Sequence, residues 1–175
     1  EELLRGAHRM IDDGLFEDFP MEAVYSIHND PKLPVGTVMT KPGNFMAGAD
    51  HFDLEVIGRS GHAARPEDSV DPVVIAANIV TVAQSIVSRR VKTTDPAVLT
   101  FSKLVSGRTH NVIPDRAELA GTVRFMNAAM SDLIQQALRE LAGGIAASFG
   151  GRAVSRAGRR SLALRAGLAT GMRFR

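Results

Sequence analysis

The 175-residue chain is 45% hydrophobic and 23% charged, a balance that can bury a core and excludes wholesale disorder. No apolar run approaches the roughly 20 residues of a membrane span, so no membrane partner is expected; with no Cys there is neither a disulfide framework nor a thiolate metal site, which fits a cytoplasmic protein. Formal charge is +2, but residues 151–175 hold seven Arg and no Asp or Glu while the remainder holds 14 Lys and Arg against 19 Asp and Glu, so a +7 tail follows a −5 body.

The chain starts at Glu1 with neither Met nor a signal-like segment, which reads as a fragment whose N-terminus lies upstream. Residues 3–13 predict a helix, with Leu3, Leu4, Ala7, Met10 and Ile11 at helical spacing and Gly14 as the stop. The apolar run Ala23–Ile27 predicts a short strand that delivers His28, and HNDPKLP is a loop by its Asn, Asp and two Pro. Residues 51–58 alternate, with Phe52, Leu54 and Val56 on one face and His51, Asp53 and Glu55 on the other, as in a half-buried strand. GRSGHAARP is a loop in which Gly58 and Gly61 loosen the backbone around His62.

Asp71 as N-cap and Pro72 at the first helical position start a helix that ends near Arg89 and Arg90, with Val73, Ala76, Ala77, Val80, Ala83 and Val87 as its expected inner face. Residues 97–105 predict a strand and SGRTHNVIPD a connection. Residues 116–124 alternate again, Ala117, Leu119, Gly121 and Val123 opposite Arg116, Glu118, Thr122 and Arg124. Ser131 to Phe149 predicts an amphipathic helix carrying Leu133, Ile134, Ala137, Leu138, Leu141 and Ile145. From residue 51 the order is β-α-β-β-α, most of a split β-α-β unit: an α+β fold with an antiparallel sheet and two helices on one face. A closing strand is expected after Gly150, although GGRAVSRAG alternates poorly.

The Arg-rich tail raises the idea of nucleic-acid binding. The acidic body opposes it and no nucleic-acid motif accompanies it, so no nucleic-acid partner is expected. The tail's narrow composition of Arg, Ala, Gly, Ser and Leu equally suits out-of-frame reading of a GC-rich gene or a disordered end. Elsewhere, Glu1 and Glu2 precede a helix and His28 ends the first predicted strand. Carboxylate oxygen and imidazole nitrogen suit zinc, manganese or related divalent ions. On spacing alone a solvated helix start and a structural or surface His explain the same residues.

The segments EE…GAHRMIDDGLF…AVYSIHNDPKLPVGTV, then DHFDLEVIGRSGHAARPEDSVDPVVIAANIV, then HNVIPDRAELAGTVR resemble the metal-dependent amidohydrolases of the aminoacylase, hippurate hydrolase and auxin-conjugate hydrolase type. The resemblance covers about residues 1–150, and GHAARP…DPV, HNVIP and GTVR occur together in matching order and spacing. One departure is LLRGA, where the family has a Gly-rich stretch after the two Glu. The resemblance implies residues 1–48 as the end of a first catalytic segment of an α/β zinc-peptidase-like domain, residues 49–150 as an inserted lid and dimerisation domain, and residues 151–175 as an atypical tail. It implies Glu1 as general base and Glu2 and His28 as ligands of a two-metal centre, whose ions are zinc, manganese, cobalt or nickel. It implies His62 as a lid donor that reaches the partner subunit's active site, and Asn111 and Arg124 as the grip on the substrate carboxylate. For these three, a loop His, a turn Asn and a solvated strand-end Arg are the ordinary alternatives. The implied activity is hydrolysis of N-acyl amino acids, hippurate-like substrates among them, by a homodimer joined through the lid. The family's other ligands, in a CGHD-like segment and a His near the C-terminus, are not in this chain, so the chain alone is expected to be inactive. The alternative is a non-catalytic dimerisation module derived from the same family.

Overall fold

The computed structural model describes residues 6–23, 25, 27–42 and 45–156. They fall into two units, one up to Lys41 and one from Pro42 onward.

In the first unit, helix α1 (Gly6–Asp12) ends in a turn at Gly14, whose φ of 92° lies in the left-handed region that favours glycine. A single-turn helix α2 (Leu15–Asp18) follows. The expected stop at Gly14 is therefore where the sequence put it; Leu3 and Leu4 lie outside the described residues. Of the strand expected at Ala23–Ile27, the described residues Ala23, Tyr25 and Ile27 are in no strand, and Tyr25 and Ile27 are 76% and 101% exposed; Val24 and Ser26 lie outside the described residues. A strand needs a neighbour to share its backbone hydrogen bonds, and none pairs with this run among the described residues. The loop after it is built as its composition demands, with Asp30 accepting from the Lys32 amide at 2.9 Å.

The second unit holds a four-stranded antiparallel sheet in the order β3-β5-β1-β6, made by β1 (Gly48–Ile57), β3 (Ala97–Ser106), β5 (Arg116–Phe125) and β6 (Arg152–Arg156). Helices α3 (Pro72–Arg90) and α4 (Ala128–Ser148) supply the rest of the core. The β-α-β-β-α order holds, and β6 is the closing strand; it occupies residues 152–156, inside the stretch expected to be tail. It is an edge strand, paired with β1 alone among the described residues.

The strand faces are those the alternation predicts. Phe52, Leu54 and Val56 of β1 and Ala117, Leu119 and Val123 of β5 are buried. At the middle of the sheet, Gly121 lies opposite both Phe52 and Phe101. The two rings meet edge to face over it, centroids 5.0 Å apart. A side chain there has no room, since a Cβ on Gly121 would sit 2.0 Å from the Thr100 carbonyl oxygen.

Helix α3 starts as expected: the Asp71 carboxylate accepts from the amides of Val73 at 2.8 Å and Val74 at 3.4 Å. Its inner face needs correcting. The buried residues are Pro72, Ile75, Ala76, Ile79, Ala83 and Ile86, while Val73 and Ala77 are exposed. The helix is apolar nearly all round, so periodicity alone does not fix its rotation; burying the three larger Ile side chains against the sheet gains more than burying Val and Ala. For the same reason the helix is long and apolar enough by composition to cross a membrane, with a mean hydropathy of 1.4. That corrects the sequence-based statement that no such run exists; Ile75, Ile79 and Ile86 place this helix in the core instead. Helix α4 begins at Ala128, three residues before the expected Ser131, because Asn127 caps it by accepting from the Ala129 amide at 3.1 Å.

Two loops expected to be irregular contain a small ladder. Strands β2 (Gly61–His62) and β4 (Val112–Ile113) pair antiparallel, with His62 opposite Val112. A 3-10 turn (Pro66–Asp68) follows β2.

Candidate functional site

The β2–β4 ladder brings two of the sequence-predicted site residues together. The Ala63 amide donates to the Asn111 carbonyl at 3.0 Å, and the Ser60 hydroxyl donates to the Ile113 carbonyl at 2.8 Å. His62, on β2, and Asn111, the turn residue just before β4, thus stand at one end of the domain with hydrogen bonds on both sides of the pair. Gly58 and Gly61 do not loosen this segment. Neither has positive φ, and what Gly58 supplies is room: a Cβ there would lie 2.2 Å from the Val70 carbonyl oxygen. That close approach lets Arg59 and Val70 exchange backbone hydrogen bonds at 2.9 and 3.0 Å, which pins the root of the His62 strand to the start of α3.

Local hydrogen bonds orient both side chains. The Ala64 amide donates to His62 Nδ1 at 3.1 Å. In the neutral ring Nδ1 is then the acceptor, and the proton is on Nε2. The Thr109 hydroxyl donates to Asn111 Oδ1 at 3.1 Å, which occupies the carboxamide oxygen and leaves the NH₂ as its remaining polar group. Both side chains are exposed, and each has its acceptor tied to its own loop, which leaves its N–H group available to donate. Two such donors suit an oxyanion or a carboxylate. Ser60, Thr109 and Val112 also line one side of a groove of about 480 Å³, large enough for a small molecule.

Arg124 is elsewhere. It lies on β5 opposite Ala49 of β1 and Val98 of β3, on the sheet face turned away from the core. The His62 end of the domain adjoins Arg116, eight residues back along the same strand, so about 27 Å separates the two ends at about 3.4 Å per residue. One copy of the domain therefore cannot bring Asn111 and Arg124 to one carboxylate.

His28 lies in the first unit, exposed and outside any helix or strand. Its Nδ1 is 2.7 Å from the Asn29 carbonyl oxygen. A carbonyl only accepts, so Nδ1 carries the proton and Nε2 presents its lone pair, the form a metal ligand needs. Glu1 and Glu2 lie outside the described residues. Among the described residues no three His, Asp or Glu side chains gather to hold an ion, so His28 suits one ligand position and not a complete centre.

The sequence reading passed over the hydroxyls beside this pair: Thr109, which orients the Asn111 carboxamide, and Ser60, which bonds across the ladder to the Ile113 carbonyl. The signal was a hydroxyl two positions ahead of each: Ser60 before His62 and Thr109 before Asn111. It also passed over Asp50, whose carboxylate accepts from the Ser131 hydroxyl and from the Gln135 carboxamide at 2.9 Å, fastening β1 to the first turns of α4.

Residues 46–148 match a family described as the peptidase dimerisation domain of the M20 group. The chain belongs to this M20 dimerisation-domain family. Among curated relatives, the chain is 37% identical over 153 residues to an N-acetylcysteine deacetylase of Bacillus subtilis, covering 87% of this chain and 40% of that protein. It is 40% identical over 150 residues to an N-acetyldiaminopimelate deacetylase of Lacticaseibacillus casei, covering 85% of this chain and 39% of that protein. The chain thus spans about two fifths of the length of these relatives. Among solved structures, a dinuclear metal-binding peptidase of the M20 family from Bacillus subtilis superposes with a TM-score of 0.65 at 30% identity, covering 86% of this chain and 36% of that one. A Staphylococcus aureus protein provisionally assigned as an aminohydrolase superposes with a TM-score of 0.78 at 28% identity, covering 86% of this chain and 40% of that one.

Proposed function

We propose that this chain is the lid and the adjoining catalytic stretch of a metal-dependent amidohydrolase that cleaves the amide bond of N-acyl amino acids, hippurate-like substrates included. One observation carries the reading: His62 and Asn111 are held side by side as outward donors at one end of a dimerisation domain whose relatives include two deacetylases of N-acetylated substrates. An amide carbonyl under attack becomes an oxyanion, and donors placed at that oxygen favour the transition state over the ground state. In this reading His62 meets the oxyanion, Asn111 and Arg124 hold substrate carboxylates, Glu1 takes the proton of the attacking water and passes it to the leaving amine, and Glu2 and His28 contribute to a dinuclear centre. Bound divalent ions (zinc, manganese, cobalt or nickel) would polarise the carbonyl and acidify the attacking water.

Because Asn111 lies in the connection before the Arg116 end of β5 and Arg124 near its other end, both serve one substrate only if two copies combine. We therefore read the working form as a homodimer joined through the lid, acting in the cytoplasm. Strand β3 supports such pairing: it is an outer strand ten residues long, with Val98 and Leu104 about half exposed, beside a helix α3 that exposes Val74 and Val82. The test is release of free amino acid from N-benzoylglycine and N-acetyl amino acids by the full-length protein. Glu1→Gln should abolish turnover while sparing metal binding. A full-length protein that binds metal and releases no amino acid from any of these substrates refutes the reading and leaves a non-catalytic dimerisation module.

A further inference from the structure

We propose that Ser60 and Thr109 form a hydroxyl brace that sets His62 and Asn111 as one paired donor, which makes both of them positioning residues for the proposed hydrolytic site; the inference rests on the donor reading above. The geometry assigns the two hydroxyls different tasks. Ser60 donates across the ladder to the Ile113 carbonyl at 2.8 Å, and that carbonyl belongs to a buried residue. The contact fixes the spacing and register of the His62 strand against the Asn111 strand, together with the Ala63–Asn111 bond at 3.0 Å. Thr109 acts within its own loop. By donating to Asn111 Oδ1 at 3.1 Å it chooses which way round the carboxamide sits. Without that donor the carboxamide is free to turn its oxygen to the substrate, and an oxygen repels an oxyanion or a carboxylate where the NH₂ would bind it. The His62 ring needs no such hydroxyl, because the Ala64 amide already fixes its tautomer. The brace thus covers the two degrees of freedom that the backbone ladder leaves open: the distance between the strands at the pair, and the rotation of the Asn111 amide plane.

The variants are Thr109→Val, which keeps the branched shape and removes the hydroxyl, Thr109→Ser, which restores it, and Ser60→Ala. In the 175-residue chain, side-chain amide NMR of Asn111 should shift and broaden in Thr109→Val and return in Thr109→Ser, while backbone signals of the sheet stay in place. In the full-length protein Thr109→Val should lower kcat about tenfold or more, short of the 10²–10³ expected for losing a donor outright, with Thr109→Ser within about threefold of the parent on the same argument. Ser60→Ala should move the His62 and Asn111 signals together. An Asn111 signal and a kcat both unchanged in Thr109→Val overturn the brace, as does a failed rescue by Thr109→Ser. A changed Asn111 signal with unchanged turnover supports the brace and instead overturns the donor role on which it rests. Asn111→Ala separates the two in the other direction: loss of turnover there, with an inert Thr109→Val, keeps the donor and removes the brace.

Discussion

Gly121→Ala tests the packing argument most directly, because one methyl group meets two obstacles of different kinds. The added Cβ would lie 2.0 Å from the Thr100 carbonyl oxygen and 2.6 and 2.8 Å from two ring carbons of Phe52. The ring can turn, at the loss of its edge-to-face contact with Phe101, a pair worth about 0.5–1.5 kcal/mol. The carbonyl belongs to the β3 backbone and cannot turn without opening the ladder beside β5. Overpacking of this kind costs about 1–3 kcal/mol, and each backbone hydrogen bond strained open adds about 1 kcal/mol. Against this, Ala restricts the unfolded chain and returns about 0.4–1 kcal/mol. The expected net loss is about 3 kcal/mol. Urea unfolding followed by far-UV circular dichroism measures it in a chain that has no Trp to report fluorescence. Adding Phe52→Leu removes the ring but leaves the carbonyl, so the double variant should regain less than half of the loss. A loss under about 1 kcal/mol, or full rescue by Phe52→Leu, would mean that the strands separate easily and that the glycine is not what lets the rings meet.

Three further outcomes follow from the contacts described above. Asp50→Ala should destabilise the second unit by about 1–3 kcal/mol in the same assay, because the Ser131 hydroxyl, in a residue only 3% exposed, loses its carboxylate acceptor; an unchanged midpoint would show that Gln135 replaces it. The hydrogen bond from Arg116 holds the Asp115 carboxyl below its ordinary value of 3.8. A lowered carboxylate pKa means that the unfolded chain takes up its proton first, so the contribution is present above the ordinary carboxylate range and is lost as pH falls through the folded value. Carboxyl carbon NMR should show Asp115 titrating higher in Arg116→Gln, and an unmoved titration would assign the effect to another group. Placing Lys at both Val74 and Leu104 should halve the mass seen by light scattering without altering the circular dichroism spectrum; a mass that stays dimeric moves the interface away from β3 and α3.

What the sequence disclosed of this fold tracks where a pattern has one physical cause. The alternation in β1 and β5 is unambiguous because one face meets helices and the other does not, so Phe52, Leu54, Val56, Ala117, Leu119 and Val123 were all legible. Helix α3 was legible as a helix, from its Asp-Pro start and its length, but not in its rotation, since Val, Ile and Ala cover nearly its whole circumference. The run at Ala23–Ile27 has strand composition, yet its described residues Ala23, Tyr25 and Ile27 are in no strand, because composition reports what a segment could pair with and not whether a partner lies beside it.

The candidate site divides along the same line. His62 and Asn111 stand 49 positions apart and became candidates through the family's motifs alone; what brings them near each other is the Ala63–Asn111 backbone bond beside a two-residue ladder too short to leave a periodic signal. Arg124 was read correctly as lying on the polar side of its strand, yet that periodicity is silent about which end of the strand faces the site. Alternation gives a residue's face, and only register gives its distance from another residue on the same strand. The gap of about 27 Å between the ends of β5, at about 3.4 Å per residue, is why the proposed roles of these three residues call for two copies. On the proposed function, a single lid could offer its donor pair or its Arg to a given substrate, but not both, so the full grip proposed above would belong to the assembly and is not legible in one chain's motifs.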